Sequence, residues 1–191
     1  RGLAVAGAHG KSTTTAMLSL ALGGATICVG AEVPWGGGTG AAWGEGPWFC
    51  AEADESDRSL LRLRPEAAIL LNVDHDHHST YASIEEVEEV FRRFVGALPS
   101  HGVLVVGPDP RARQVATGAP CEVRLVGDVP GAWARVEGDA LVLADGGRVD
   151  LSLAAPGAHN RDNAACALAL ADWCGVDAAT GGHHNRFLAG E

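Results

Sequence analysis

Eight residues near the start, Gly7-Ala8-His9-Gly10-Lys11-Ser12-Thr13-Thr14, constrain this chain more than any other stretch. A short apolar run, Leu3-Ala4-Val5-Ala6, precedes them, and a helix-forming run from Thr15 to Leu22 follows. Strand, glycine-rich turn and helix together are the context in which a turn becomes a phosphate cradle; the plainer alternative is a glycine turn that happens to precede a lysine. Small residues let successive backbone N–H groups converge on an anion, and the helix N-terminus adds its positive dipole end. Lys11 is placed to reach the outer phosphates, and the Ser12 hydroxyl to ligate Mg²⁺. The fuller phosphate-loop pattern has a further glycine where this chain has Val5, so the motif present is the shorter G-x-x-G-K-S-T-T. The expectation is binding of ATP or a related nucleotide by Gly7, Ala8, His9, Gly10, Lys11, Ser12 and Thr13.

The rest of the first 107 residues continues that architecture. Apolar runs at 3–6, 26–29, 48–53, 67–73 and 102–106 predict strands. Helical patterns cover 11–22 and 83–98, with a short turn at 57–61. Nearly continuous apolar strands, such as Ala68-Ile69-Leu70-Leu71, suit a parallel sheet covered on both faces. From Cys121 to Leu153 the texture changes to short runs (122–126, 132–137, 140–143, 148–153) split by turns such as Glu137-Gly138-Asp139 and Asp145-Gly146-Gly147. These predict a small antiparallel subsheet. A last helix is expected from about Asn160 to Trp173, its alanine-rich face suited to close packing. The glycine-rich stretch 32–46 reads as a loop. The predicted fold is α/β: a three-layer, phosphate-loop-type, mostly parallel sheet flanked by helices, with a small antiparallel subsheet.

In such sheets ligands bind beyond the C-terminal strand ends. Three further clusters fall there or at a helix start. Ala51-Glu52-Ala53-Asp54-Glu55-Ser56-Asp57 carries four acids in six residues; one could complete a Mg²⁺ site, while Asp57 could simply cap Leu60 and Leu61. Asn72-Val73-Asp74-His75-Asp76-His77-His78 favours a second-metal or substrate role over zinc, because no cysteine pairs or spaced histidines answer it elsewhere. His75 and His78 read as exposed loop residues. Asn160 and Asn163, three apart, share a helix face, where carboxamides can pair with an adenine edge; the plainer alternative is N-capping by Asn160.

Composition limits the partners. With 14 basic and 24 acidic residues the net charge is −10, which argues against non-specific binding to nucleic acid or an anionic membrane. No apolar run approaches the roughly 18 residues of a membrane span. The acids Glu85, Glu86, Glu88 and Glu89 read as the solvated face of a helix whose apolar positions are Ile84, Val87, Val90, Phe91 and Phe94. Five cysteines without a C-x-x-C pair predict buried thiols in a reducing cytoplasm. The start at Arg1 and the apolar close at Phe187-Leu188-Ala189 lead us to expect a piece of a longer protein.

Taken in order, G-A-H-G-K-S-T-T-T-A-M, A-E-A-D-E-S-D, N-V-D-H-D-H-H-S-T-Y and P-G-A-H-N-R-D-N-A-A resemble the Mur ligase family. Asp-Glu-Ser-Asp, and Asp-His followed by Thr-Tyr, are similar to its alanine-adding branch. The resemblance implies a three-domain enzyme of which residues 1–180 are the central ATP-binding domain. Residues 181–191, with Arg186, would begin the hinge to a C-terminal domain, and an N-terminal UDP-binding domain would lie outside the chain. It implies ATP and Mg²⁺ as cofactors, and UDP-N-acetylmuramate and L-alanine as substrates, joined through an acyl phosphate. Lys11 and His77 would be catalytic. Ser12 and Glu52 would ligate Mg²⁺, and His77 would ligate a second Mg²⁺ or contact the substrate carboxylate. Asn160 and Asn163, with His159, would read adenine. The chain alone would not ligate alanine. Departures from the family pattern are Ser12 in place of threonine, Ser79 in place of aspartate, and short links at 23–25 and 176–185.

Overall fold

A computed structural model of the chain describes residues 1–32, 39–76, 78–151, 153 and 157–177. His77, Trp35, Arg186 and the expected hinge at 181–191 lie outside the described residues.

The elements are β1 (Gly2–Ala6), α1 (Lys11–Ala21), β2 (Thr26–Cys28), β3 (Ala41–Ala42), β4 (Phe49–Ala53), a 3-10 turn (Ser59–Arg62) and β5 (Ala67–Leu70). Then follow α2 (Ile84–Gly96), β6 (Val103–Val106), α3 (Pro110–Ala116), β7 (Glu122–Leu125), β8 (Ala134–Glu137), β9 (Ala140–Leu143), β10 (Arg148–Asp150) and α4 (Ala158–Trp173). The main sheet has seven strands in the order β3-β2-β4-β1-β5-β6-β7, and only β3 runs antiparallel to its neighbour.

Strand alternation explains the three layers. On β1, Leu3 and Val5 face one core with Leu18 of α1 and Cys166 and Leu170 of α4. Ala4 and Ala6 face the other, with Phe91 and Phe94 of α2 and Val115 of α3. Both faces are covered, so β5 and β6 are buried at every residue. On α4, the buried alanines 164, 165, 167, 169 and 171 remove bulk, and the helix packs against α1. Two hydroxyls of α1 turn to main-chain carbonyls, Thr15 to Lys11 (2.8 Å) and Ser19 to Ala25 (2.7 Å), while the buried Thr14 Oγ1 has no hydrogen-bond partner among the described residues.

Several expectations are corrected. The run at 122–126 is not part of the antiparallel subsheet; β7 pairs in parallel with β6, and only β8, β9 and β10 form the small sheet. The stretch 32–46 contains β3. The helix α3 was not expected. The turn expected at 57–61 is the 3-10 turn Ser59–Arg62. There, Asp57 accepts from the Ser59 N–H (2.8 Å), whereas the Leu60 N–H goes to the Asp54 carbonyl (3.1 Å). Glu88 does not belong to a solvated face: it is buried, bonded to Arg92 (2.5 Å) and Arg111 (3.1 Å). The five cysteines are free thiols, but Cys28 is exposed. No helix among the described residues is long and apolar enough to cross a membrane.

Candidate active site

The chain crosses from β4 to β5 on opposite sides of β1, and that crossing sets the site. In such sheets the crevice opens where strand order reverses. Val5 pairs in register with Glu52 on β4 and Ile69 on β5, so three strand ends finish at one level. The glycine loop, the acidic segment and the Asn72 segment all leave from that edge.

Two glycines make the loop possible. Gly7 has φ 140°, and a Cβ there would lie 3.0 Å from Leu71 Cβ and 3.2 Å from the Asn72 backbone. Gly10 has φ 84° and precedes the first residue of α1. Asn72 clamps the turn between them: its Oδ1 accepts from the His9 N–H (2.9 Å), and its Nδ2 donates to the His9 carbonyl (3.1 Å).

Lys11 is the only lysine in the chain. Its Nζ donates to the carbonyls of Gly7 (2.7 Å) and Ala8 (3.4 Å), and to the Glu55 carboxylate at 3.0 and 3.2 Å. Glu55 is 2% exposed. Glu52, three residues earlier, differs: its Oε1 is buried and has no hydrogen-bond partner among the described residues. A buried carboxylate oxygen left unpartnered is costly, and a hard cation at that point relieves the cost. Glu52 therefore fits a Mg²⁺ ligand, and Ser12, on the first turn of α1, follows Lys11 directly.

The loop after β5 supplies the opposite wall. His9 Nε2 lies 3.3 Å from Asp76 and 3.9 Å from Asp74, all three exposed. Their ligating atoms fall within 4.8 Å of one another. His75 is half-buried, correcting its expected exposure, and its Nε2 is 3.0 Å from the Tyr81 carbonyl. The Tyr81 hydroxyl in turn donates to the Glu55 carbonyl. Burial pushes the Tyr81 phenol up, partly offset by the Arg58 guanidinium above its ring.

A cleft of about 770 Å³ joins the loop to α4. His9, Gly10 and Thr13 line it from one side, and His159, Asn160 and Asn163 from the other. Asn163 reaches the loop itself, its Oδ1 lying 3.0 Å from where a Gly10 Cβ would stand. Gly157 occupies the N-cap position of α4, so Asn160 sits inside the helix and does not cap it. Desolvation raises the Asp162 carboxyl above the usual range, against the opposing pull of His159 and Arg161.

The Mur ligase middle-domain family model matches residues 50–171. The chain belongs to the Mur ligase family. It is 45% identical over 186 residues to the UDP-N-acetylmuramate–L-alanine ligase of Rubrobacter xylanophilus, covering 93% of this chain and 41% of that protein. It is 39% identical over 197 residues to the enzyme of that name from Streptomyces coelicolor, covering 94% and 42%. The chain thus spans about two fifths of the length of these relatives. Among solved structures, UDP-N-acetylmuramate:L-alanyl-γ-D-glutamyl-meso-diaminopimelate ligase from Neisseria meningitides superposes with a TM-score of 0.79 at 28% identity, covering 99% of this chain and 65% of that one. Folylpolyglutamate synthase of Mycobacterium tuberculosis, complexed with ADP and AMPPCP, shares the fold (TM-score 0.70, 16% identity, covering 99% and 58%).

Sequence reading did not single out Glu55 or Asn72 within this candidate site. The available signal for Glu55 was the solitary lysine: its ammonium has three donors to place, and four acids stand together at 52–57.

Proposed function

We propose that this chain is the ATP- and Mg²⁺-binding central part of a cytoplasmic enzyme that joins L-alanine to UDP-N-acetylmuramate in peptidoglycan precursor synthesis. The observation that carries the reading is the buried, unpartnered Glu52 oxygen in register with the strand that feeds the phosphate loop. The 36–45% identity to alanine-adding ligases over more than nine tenths of the chain supports the substrate assignment.

In this reading the loop N–H groups and Lys11 hold the β- and γ-phosphates. Ser12 and Glu52 would hold Mg²⁺, which neutralises charge on those phosphates. Asn160, Asn163 and His159 read the adenine edge across the cleft. His77 contacts a second Mg²⁺ or the substrate carboxylate. The substrate carboxylate attacks the γ-phosphorus and ADP leaves. The alanine amine then attacks the acyl-phosphate carbonyl, losing a proton as inorganic phosphate departs and the amide forms. This chain's work is positioning and charge neutralisation. The UDP-sugar and alanine are held by parts of the protein beyond the aligned two fifths.

Calorimetry on the chain with ATP and Mg²⁺ tests this. The wild type binds Mg-ATP. Lys11→Ala weakens that binding at least about tenfold, the scale of losing a charge-assisted contact. Glu52→Gln abolishes the gain that Mg²⁺ gives to ATP binding. Equal Mg-ATP affinity in all three proteins would show that the nucleotide binds elsewhere.

A further inference from the structure

Nucleotide binding accounts for Lys11 but not for the carboxylate buried against it. Glu55 sits two residues past β4, nearly sealed from solvent, with both oxygens within 3.2 Å of the Lys11 ammonium. It is held from behind: the Tyr81 hydroxyl and the Arg58 N–H (3.0 Å) both donate to its carbonyl. Tyr81 is itself buried and anchored through its own carbonyl to His75. Desolvating an ion pair rarely repays itself in stability. A rigidly mounted carboxylate at this point therefore invites a functional explanation.

An ammonium has three donors and no acceptor. The Gly7 carbonyl takes one at 2.7 Å and Glu55 takes another at 3.0 Å. The third, within 3.2 Å of the other Glu55 oxygen, also makes a long 3.4 Å contact to Ala8. We infer that Glu55 is the positioning residue of the phosphate loop: it fixes the Lys11 ammonium beneath the loop, leaving the donor on Ala8 to take a phosphate oxygen. The role rests on the reading that this loop binds nucleotide phosphates. A lysine already fixed loses little side-chain freedom when the phosphate arrives, so the mounting raises affinity. The carboxylate's charge acts the other way, lowering the positive potential that phosphates meet. Binding measurements tell which effect dominates.

Because Lys11 is the only lysine, labelling the chain with ¹⁵N-lysine yields one side-chain ammonium signal. In the free wild type that signal is protected from solvent exchange, and it remains so with Mg-ATP. Glu55→Gln binds Mg-ATP about tenfold more weakly, equivalent to about 1.4 kcal/mol, and binds AMP as the wild type does. In a Lys11→Ala background Glu55→Gln changes nothing further, because the residue acts only through the lysine. Mg-ATP binding by Glu55→Gln that equals or exceeds the wild type would overturn the role, as would an equal loss for AMP or in the Lys11→Ala background. Should Glu55→Gln fail to melt cooperatively, the wild-type spectrum decides: an ammonium signal lost to exchange in the free chain means the lysine is loose and Glu55 does not mount it. Absence of Mg-ATP binding by the wild type is a separate outcome; it would sink the nucleotide reading, and this role with it.

Discussion

Gly10 shows how one hydrogen in place of a methyl group serves two parts of the site. Its φ of 84° is a left-handed conformation that costs a non-glycine residue about 1 kcal/mol. The space where a Cβ would go is already occupied by the Asn163 carboxamide, 3.0 Å away. That carboxamide is the far end of a side chain and can swing aside, so the clash is relieved by moving a proposed adenine reader. Gly10→Ala is therefore expected to lower stability by about 1 kcal/mol in urea unfolding. It should also weaken ATP and adenosine binding alike, by about tenfold, the scale of a lost hydrogen bond and its unmet partner. Lys11 variants differ in sparing adenosine. If Gly10→Ala melts normally and keeps full affinity for adenosine, Asn163 does not read the base.

Among the elements, α3 ties the site loop to the sheet although it is only seven residues long. Asp109 caps it, accepting from Ala112 N–H (2.7 Å), and also accepts from Val73 N–H (3.3 Å) in the loop after β5. One carboxylate thus starts a helix and pins the segment that carries Asp74 and Asp76. Asp109→Ala is expected to cost about 1–2 kcal/mol in urea unfolding. Hydrogen exchange should accelerate at both Ala112 and Val73; an acceleration confined to Ala112 would show that the loop holds itself. The sequence hid α3 because Gly107-Pro108-Asp109-Pro110 is dense in turn residues, although aspartate before proline is also a helix start. The strand β7 misled for a different reason. It lies at the sheet edge, where Glu122 and Arg124 are tolerated, and its charge gave it the look of the hairpins that follow. The central elements were legible because burial on both faces leaves an unbroken apolar run. The glycine turn between β1 and α1 was legible because its glycines and lysine are contiguous. What separates Glu52, still on β4, from Glu55, two residues past it, is which way each carboxylate points, and a string of acids cannot express that.

At the scale of the whole molecule, the thiols report how the layers hold together. Cys28 is exposed at the end of β2, while Cys121 and Cys174 are half-buried. Cys50 on β4 and Cys166 on α4 are both sealed in the core between the sheet and the helices α1 and α4. Thiolate is the reactive form, and burial pushes the Cys50 and Cys174 thiols up to about 12 and Cys166 higher still. With an aromatic disulfide reagent at pH 8, the native chain is expected to show one fast thiol, Cys28, and two slower ones. Cys50 and Cys166 should react only as the chain unfolds, with a urea midpoint matching that of the circular dichroism signal. The comparison bears on function because α4 carries His159, Asn160 and Asn163, whereas α1 carries Lys11 and Ser12. If Cys166 reacts at urea concentrations where the dichroism is still native, α4 detaches before the sheet does. The cleft would then be assembled by docking of α4, and nucleotide should protect Cys166 in proportion to its affinity. Coincident midpoints mean that the two walls of the cleft, on α1 and α4, are one cooperative unit.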